Sequence, residues 1–256
     1  MTEASKHHRR KNTGQLLIVA AFAIALLISS TTAYVYELSR GTASASESAA
    51  TDFMFAVKQT TRNVVIGSLA NISNGGERTV LTSNMNRLAE TLRNARQHGV
   101  CNLTYLELNS FGYDMGTRLS WGTNGSGLSS VYASITLKVY GVSSQVSMDS
   151  AINISSSLVV GGKYTTLAGG EKNVSLTCAL TNEGQPALAG SLTFFYNNGG
   201  IWTQVNASNS LTFTDLGNGT YIVSFVITVT NPVDLSACVI DLRNVFVRAN
   251  TTCPAT

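Results

Sequence analysis

The chain has 256 residues, of which 12% are charged, about half the ~25% usual for soluble domains. The net charge of +3 sits wholly within residues 1–36, where Lys6, Arg9, Arg10 and Lys11 outweigh Glu3; the remaining charges cancel. With no net field on residues 37–256, nucleic-acid binding and electrostatic capture of acidic substrates are excluded.

Residues 1–15 form a short basic tail. Leu16–Tyr36 follows as 21 residues without a charge, enough for a helix of roughly 30 Å, about one hydrocarbon core. Tyr34 and Tyr36 at its far end suit the membrane interface, and the basic cluster before it predicts a cytoplasmic N-terminus. Everything beyond is then extracellular, and membrane lipid is a partner. Ala43-Ser44-Ala45 has the small residues of a secretory cleavage site, which would leave a secreted chain starting at Ser46. The apolar run exceeds the ~7–15 residues of such signals, which favours retention. Basic residues followed by Gly14, Gln15 and an unbroken apolar run resemble the N-terminus of archaeal type IV pilin precursors. That resemblance covers residues 9–36 and implies cleavage after Gly14, with the apolar helix becoming a filament core. Two departures stand out: Asn12-Thr13 separate the basic cluster from Gly14, and Val19 occupies a position where many pilins carry an acid.

Residues 37–50 are small and polar and read as a flexible stalk. Residues 51–100 read as a helical hairpin. Its first helix, Asp52–Leu69, carries Phe55, Val57, Val64, Val65 and Leu69. After the loop Asn71–Gly76, Glu77–His98 carries a stripe of Leu81, Met85, Leu88, Leu92 and Ala95 that stops at Gly99. Arg87, Arg93, Arg96 and Glu90 form its solvated face. In the β-region 101–160 the period switches to two, with strands at Leu103–Leu108, Val131–Tyr140 and Val146–Val160. The loop Trp121–Gly127 holds a tryptophan among glycines, which either packs over a turn or stacks on a sugar ring.

Eight Asn-x-Ser/Thr sites, at Asn71, Asn102, Asn124, Asn153, Asn173, Asn206, Asn218 and Asn250, all lie beyond the anchor and are glycosylation candidates. The four cysteines, Cys101, Cys178, Cys238 and Cys253, lie on the same side and read as up to two disulfides, with three pairings open.

Residues 161–256 are expected to form a β-sandwich. Val174, Leu176, Cys178 and Leu180 alternate with polar residues, and strands follow at Ser191–Tyr196, Trp202–Val205, Leu211–Phe213, Ile222–Thr230 and Ala237–Val247. Asp215-x-Gly-x-Gly-x-Tyr221 running into a strand resembles the tyrosine corner of immunoglobulin-like domains on microbial surface proteins. The resemblance implies that the Tyr221 hydroxyl bonds back to backbone near Asp215. Val223 stands where the second disulfide cysteine of antibody-type domains would be. The resemblance therefore implies that Cys178 pairs with Cys238 or Cys253, leaving Cys101 to the other.

No phosphate loop, dinucleotide fingerprint, nucleophile elbow or metal-ligand spacing occurs, and His98 is the only histidine beyond the tail. No enzyme activity, cofactor or metal is expected; a small-molecule ligand is not indicated. The fold class expected is α+β: one transmembrane helix, a helical hairpin, then a mainly β ectodomain ending in an immunoglobulin-like sandwich. The expected role is a structural or adhesive surface protein whose partners are envelope proteins or copies of itself. Alternatives are a pilin-like filament subunit and a secreted binding protein or enzyme.

Overall fold

The computed structural model describes residues 31, 46–95, 100–122, 124–140 and 145–256. Leu16–Tyr36, apart from Thr31, lies outside these, as do Gly14, Gln15, Arg96 and His98. Among the described residues no helix is long and apolar enough to cross a membrane. The chain divides into two compact units, Met1–Phe55 and Ala56–Thr256. Of the first, the described residues are Thr31, which is helical, and the opening turns of helix α1, Ser46–Ser73. Helix α1 thus starts inside the segment expected to be stalk, where Ala49 and Ala50 are strong helix formers.

The second unit is mostly β, with helical structure at its start. The α1 residues Val57, Thr61, Val65, Leu69 and Ile72 are buried as one stripe. The helix ends where Gly75 adopts φ +97° and donates its N–H to the Ile72 carbonyl. Helix α2, Val80–Asn94, buries Leu81, Met85, Leu88 and Ala89. The Asn84 amide donates to Ser68 Oγ at 3.0 Å, joining α2 to α1.

The strands are β1 Val100–Glu107, β2 Thr117–Trp121, β3 Ser126–Tyr140, β4 Gln145–Thr166, β5 Lys172–Asn182 and β6 Gln185–Pro186. They continue as β7 Ala189–Asn198, β8 Ile201–Gln204, β9 Thr212–Asp215, β10 Thr220–Ile227, β11 Val233–Asp241 and β12 Phe246–Cys253. A large antiparallel sheet has the order β1-β3-β4-β5-β10-β9, with β2 added to β3 and β6 to β5; a second has the order β12-β11-β7-β8.

Pleating gives the large sheet one continuous inner face. Register carries it from Leu103 to Leu137, from Val131 to Ile154, from Val160 to Cys178 and from Cys178 to Tyr221. Two covers share that face. Helix α2 packs on β1, where Tyr105 Oη donates to the Thr82 carbonyl at 3.2 Å. The second sheet covers the other half, burying Leu158, Leu176, Val223 and Phe225 against Phe194, Leu235, Val239 and Val247.

Three sequence expectations change. The boundary expected at 160/161 falls inside β4, a strand of 22 residues. Its first part pairs with β3 and its last part with β5, so the sheet runs through the boundary. The cause is an alternation of inward and outward positions from Ile152 through Ser156 to Val160 that never pauses for a turn. Next, the expected strand Ala237–Val247 is two strands, β11 and β12, turning at Leu242–Val245 with Asn244 at φ +64°. Last, the glycine-rich loop is shorter than the expected Trp121–Gly127, because Trp121 closes β2 and Ser126 opens β3.

Candidate functional site

Of the eight sequon asparagines, Asn71, Asn124, Asn153, Asn206 and Asn218 are exposed, whereas Asn102, Asn173 and Asn250 are half-buried. Asn250 Oδ1 accepts Arg248 Nε–H at 3.0 Å, and Asn173 Oδ1 accepts the Ser224 hydroxyl. Asn206 and Asn218 cap local turns, accepting from Ser208 N–H and Thr220 N–H. The exposed sites lie on several elements and converge on no single surface.

The four cysteines are unbridged here, three of them buried. Strand phase separates the two partners implied for Cys178. Cys178 points into the core from β5, while Cys238 on β11 lies out of phase with the inward Leu235, Ala237 and Val239. Cys253 does enter the same core, beside Gly162. Burial pushes the Cys178 thiol up to about 12. Burial, aided by the Asp234 charge, pushes Cys253 up to about 11. Cys101 and Cys238 are also raised by burial. Such thiols stay protonated at neutral pH and are poor nucleophiles.

Tyr221 is buried, but not as a corner. Its hydroxyl accepts the Ala189 N–H at 2.7 Å, 32 residues upstream, at the start of β7. Asp215 faces Tyr221 across the β9–β10 pairing, and its Oδ1 accepts Gly217 N–H at 2.8 Å. Tyr221 thus links the two sheets, because its strand belongs to the large sheet and β7 to the other.

Trp121 takes the packing role. Its ring meets Phe246 edge-on, centroids 5.1 Å apart, and Nε1 donates to Ser129 Oγ. The glycines beside it allow backbone contact with β12. Gly125 N–H donates to the Asn250 carbonyl, and Asn250 N–H to the Gly122 carbonyl. A Cβ on Gly127 would lie 2.0 Å from the Arg248 carbonyl oxygen. This loop therefore covers the outer edge of β12, and Tyr164 continues the closure by pairing with Pro254 and Thr256.

Where the helical and sheet covers meet, a polar seam forms that the sequence did not announce. Asp241 is 1% exposed. Its Oδ1 accepts Arg243 N–H and Val245 N–H, and its Oδ2 accepts Ser156 Oγ–H and Arg243 Nε–H. Arg243 reaches on to Glu183 at 2.8 Å and the Ser155 carbonyl, and Arg62 of α1 pairs with Glu183 at 3.5 Å. Ser73 of α1 accepts Phe246 N–H at 3.0 Å. Every charge here has a partner, so the seam is a tie rather than a reactive centre. Among the described residues no group of three or more His, Cys, Asp or Glu is placed to hold a metal. Arg87 lines a shallow cleft between α1 and α2 with Val64, Gly67, Asn84, Leu88 and Thr91.

The side opposite the closed β12 edge is open. β12 lies against β3 and β4, and Phe194 of β7 meets Phe225 of β10 with centroids 6.5 Å apart. β8 and β9 therefore end the two sheets on the same side, each with an unpaired outer edge among the described residues. Around them Ile201 is 72% exposed, Phe213 50% and Leu216 49%, with Trp202 also exposed. Two adjacent unpaired edges with apolar side chains are suited to taking another polypeptide. No protein-family model matches the chain, and no curated protein matches it.

Proposed function

We propose that this chain is a membrane-anchored, extracellular structural or adhesive protein that presents an immunoglobulin-like β-sandwich and joins other envelope proteins or copies of itself. The observation that carries the reading is the asymmetry of the sandwich. One edge is covered by the chain's own backbone, while among the described residues the β8 and β9 edges stay unpaired beside the exposed Ile201 and Leu216. The immunoglobulin-like assignment draws support from strand order: β4-β5-β10-β9 faces β12-β11-β7-β8, the two-sheet order of that architecture with one added edge strand. The anchor rests on the charge-free Leu16–Tyr36 behind a basic tail. Replacing Ile201, 72% exposed on β8, with Lys should abolish self-association or envelope retention while leaving the fold intact; unchanged association would count against the edge as the contact.

A second reading, the filament subunit, is favoured by one observation. Helix α1, Ser46–Ser73, is the long element at the start of the described fold, and within the second unit it buries Val57, Thr61, Val65, Leu69 and Ile72 as one stripe, so that a helix-led subunit keeps its β-rich part attached to the helix. Mass spectrometry of the mature N-terminus from fractionated cells separates the readings. An intact basic tail in the membrane fraction supports the permanent anchor. A chain starting at Gln15 replaces it with the filament reading, and a start near Ser46 in the medium removes both.

A further inference from the structure

At the end of the sandwich remote from Asp241, an amine and an amide side chain meet. Lys172 opens β5 and is 6% exposed, the one buried lysine among the described residues. Its Nζ donates to Asn231 Oδ1 at 2.6 Å and lies 4.8 Å from the centre of the Tyr164 ring. No carboxylate among the described residues comes within ion-pairing distance of it. Tyr164 Oη donates to the same Asn231 oxygen at 2.8 Å. Asn231 lies on the crossover from β10 in one sheet to β11 in the other.

We propose that Lys172 and Asn231 join in an intramolecular isopeptide bond. Once Lys172 releases a proton to water at the exposed Asn231, its free amine can attack Cγ, while Tyr164, still donating to Oδ1, polarises the carbonyl and stabilises the oxyanion of the tetrahedral intermediate. The Nζ–Cγ bond forms and the Cγ–Nδ2 bond breaks. Nδ2 departs as ammonia and takes up the proton released by the lysine ammonium, so an ammonium ion leaves and charge is conserved. No oxidant or cofactor enters the balance. Asn231 stands at the surface, which gives the ammonia an exit. The residue after it is Pro232, which has no backbone N–H, so the usual attack of the following amide nitrogen on Cγ is closed. Lys172 is then the nucleophile in place. The product staples β5 to the crossover between sheets, a bond suited to a surface protein under load, and it does not depend on how the N-terminus is processed.

The test is the intact mass of the denatured full-length chain, purified in detergent from a host that does not glycosylate it. The expected result is a mass lower by one ammonia, with a branched peptide joining the Lys172 and Asn231 segments after digestion. Lys172→Arg and Asn231→Ala should each restore the sequence mass, and Tyr164→Phe should leave most chains unlinked over the same expression period. A wild-type chain at the full sequence mass would overturn the proposal. So would an ammonia loss mapped to an Asn-Gly pair such as Asn74–Gly75 or Asn198–Gly199, the signature of a cyclic imide.

Discussion

The two halves of the large sheet present the same kind of inner face but receive different covers. Under the second sheet the contact is dry: Leu176, Val223 and Phe225 meet Phe194 and Val239 with few polar atoms between them. On the helical side the contact is mixed. Tyr105 bonds to the Thr82 carbonyl and Asn86 Oδ1, and Thr82 Oγ bonds to Glu107. Apolar burial gives roughly 25 cal/mol per Å², whereas an average hydrogen bond gives a net ~1 kcal/mol. The sheet cover should therefore hold the fold, and the helical cover should open first. The Asp241 seam lies between them, bonding α1, β4 and the β11–β12 turn to one another.

The largest expected effect tests that ranking. Phe225→Ala should cost about 3–5 kcal/mol in denaturant unfolding, and Met85→Ala should fall at the low end of ~2–5 kcal/mol. Hydrogen exchange should show α2 amides opening before those of β5 and β10; equal protection would break the comparison.

Removing the tie comes next. Asp241→Ala should cost roughly 3 kcal/mol, because it leaves two buried backbone N–H groups and Arg243 Nε without their acceptor, while Arg243 keeps Glu183. It should also split a single thermal transition into two, with the helical half melting first. Asp241→Asn, which keeps the shape and part of the bonding, should lose less. One unchanged transition in both variants would mean the covers do not communicate through the seam.

Alkaline pH loads the buried thiols, and Cys178 under the second sheet is raised furthest. The Cys178 thiol ionises near 9 in the unfolded chain and near 12 when folded. Between those values the folded state binds more protons, so stability falls as pH rises, by on the order of 4 kcal/mol over the full interval. Urea midpoints measured through that window should drop in the wild type and stay flatter in Cys178→Ala. Thiol-reactive reagents should label Cys178 only after denaturation.

The smallest effect sharpens the role of Tyr221. Tyr221→Phe removes the acceptor of Ala189 N–H and should cost about 1–2 kcal/mol, with no loss of β9–β10 pairing by hydrogen exchange. A corner role would instead loosen the turn around Asp215.

Much of the fold is legible in one dimension. The alternation Val174, Leu176, Cys178, Leu180 and the stripe Leu81, Met85, Leu88 each declare a face, because pleat and helix period are local properties of the backbone. The composition of residues 1–36, with charge before and apolarity after, is the ground on which the anchor is proposed. What those faces meet is not local. A strand's alternation does not say whether a helix or a sheet covers it, so β4 crosses the expected boundary between the two kinds of cover. Tyr221 follows a turn motif, yet its partner is Ala189 in the other sheet. The cysteine count implies pairs, but strand phase turns Cys178 inward and Cys238 outward. The Lys172–Asn231 contact joins residues 59 apart, and the Asp241–Ser156 contact residues 85 apart. Backbone periodicity is decided within a few residues; the partner of each side chain is decided only when distant strands enter register, and the tertiary structure alone sets that.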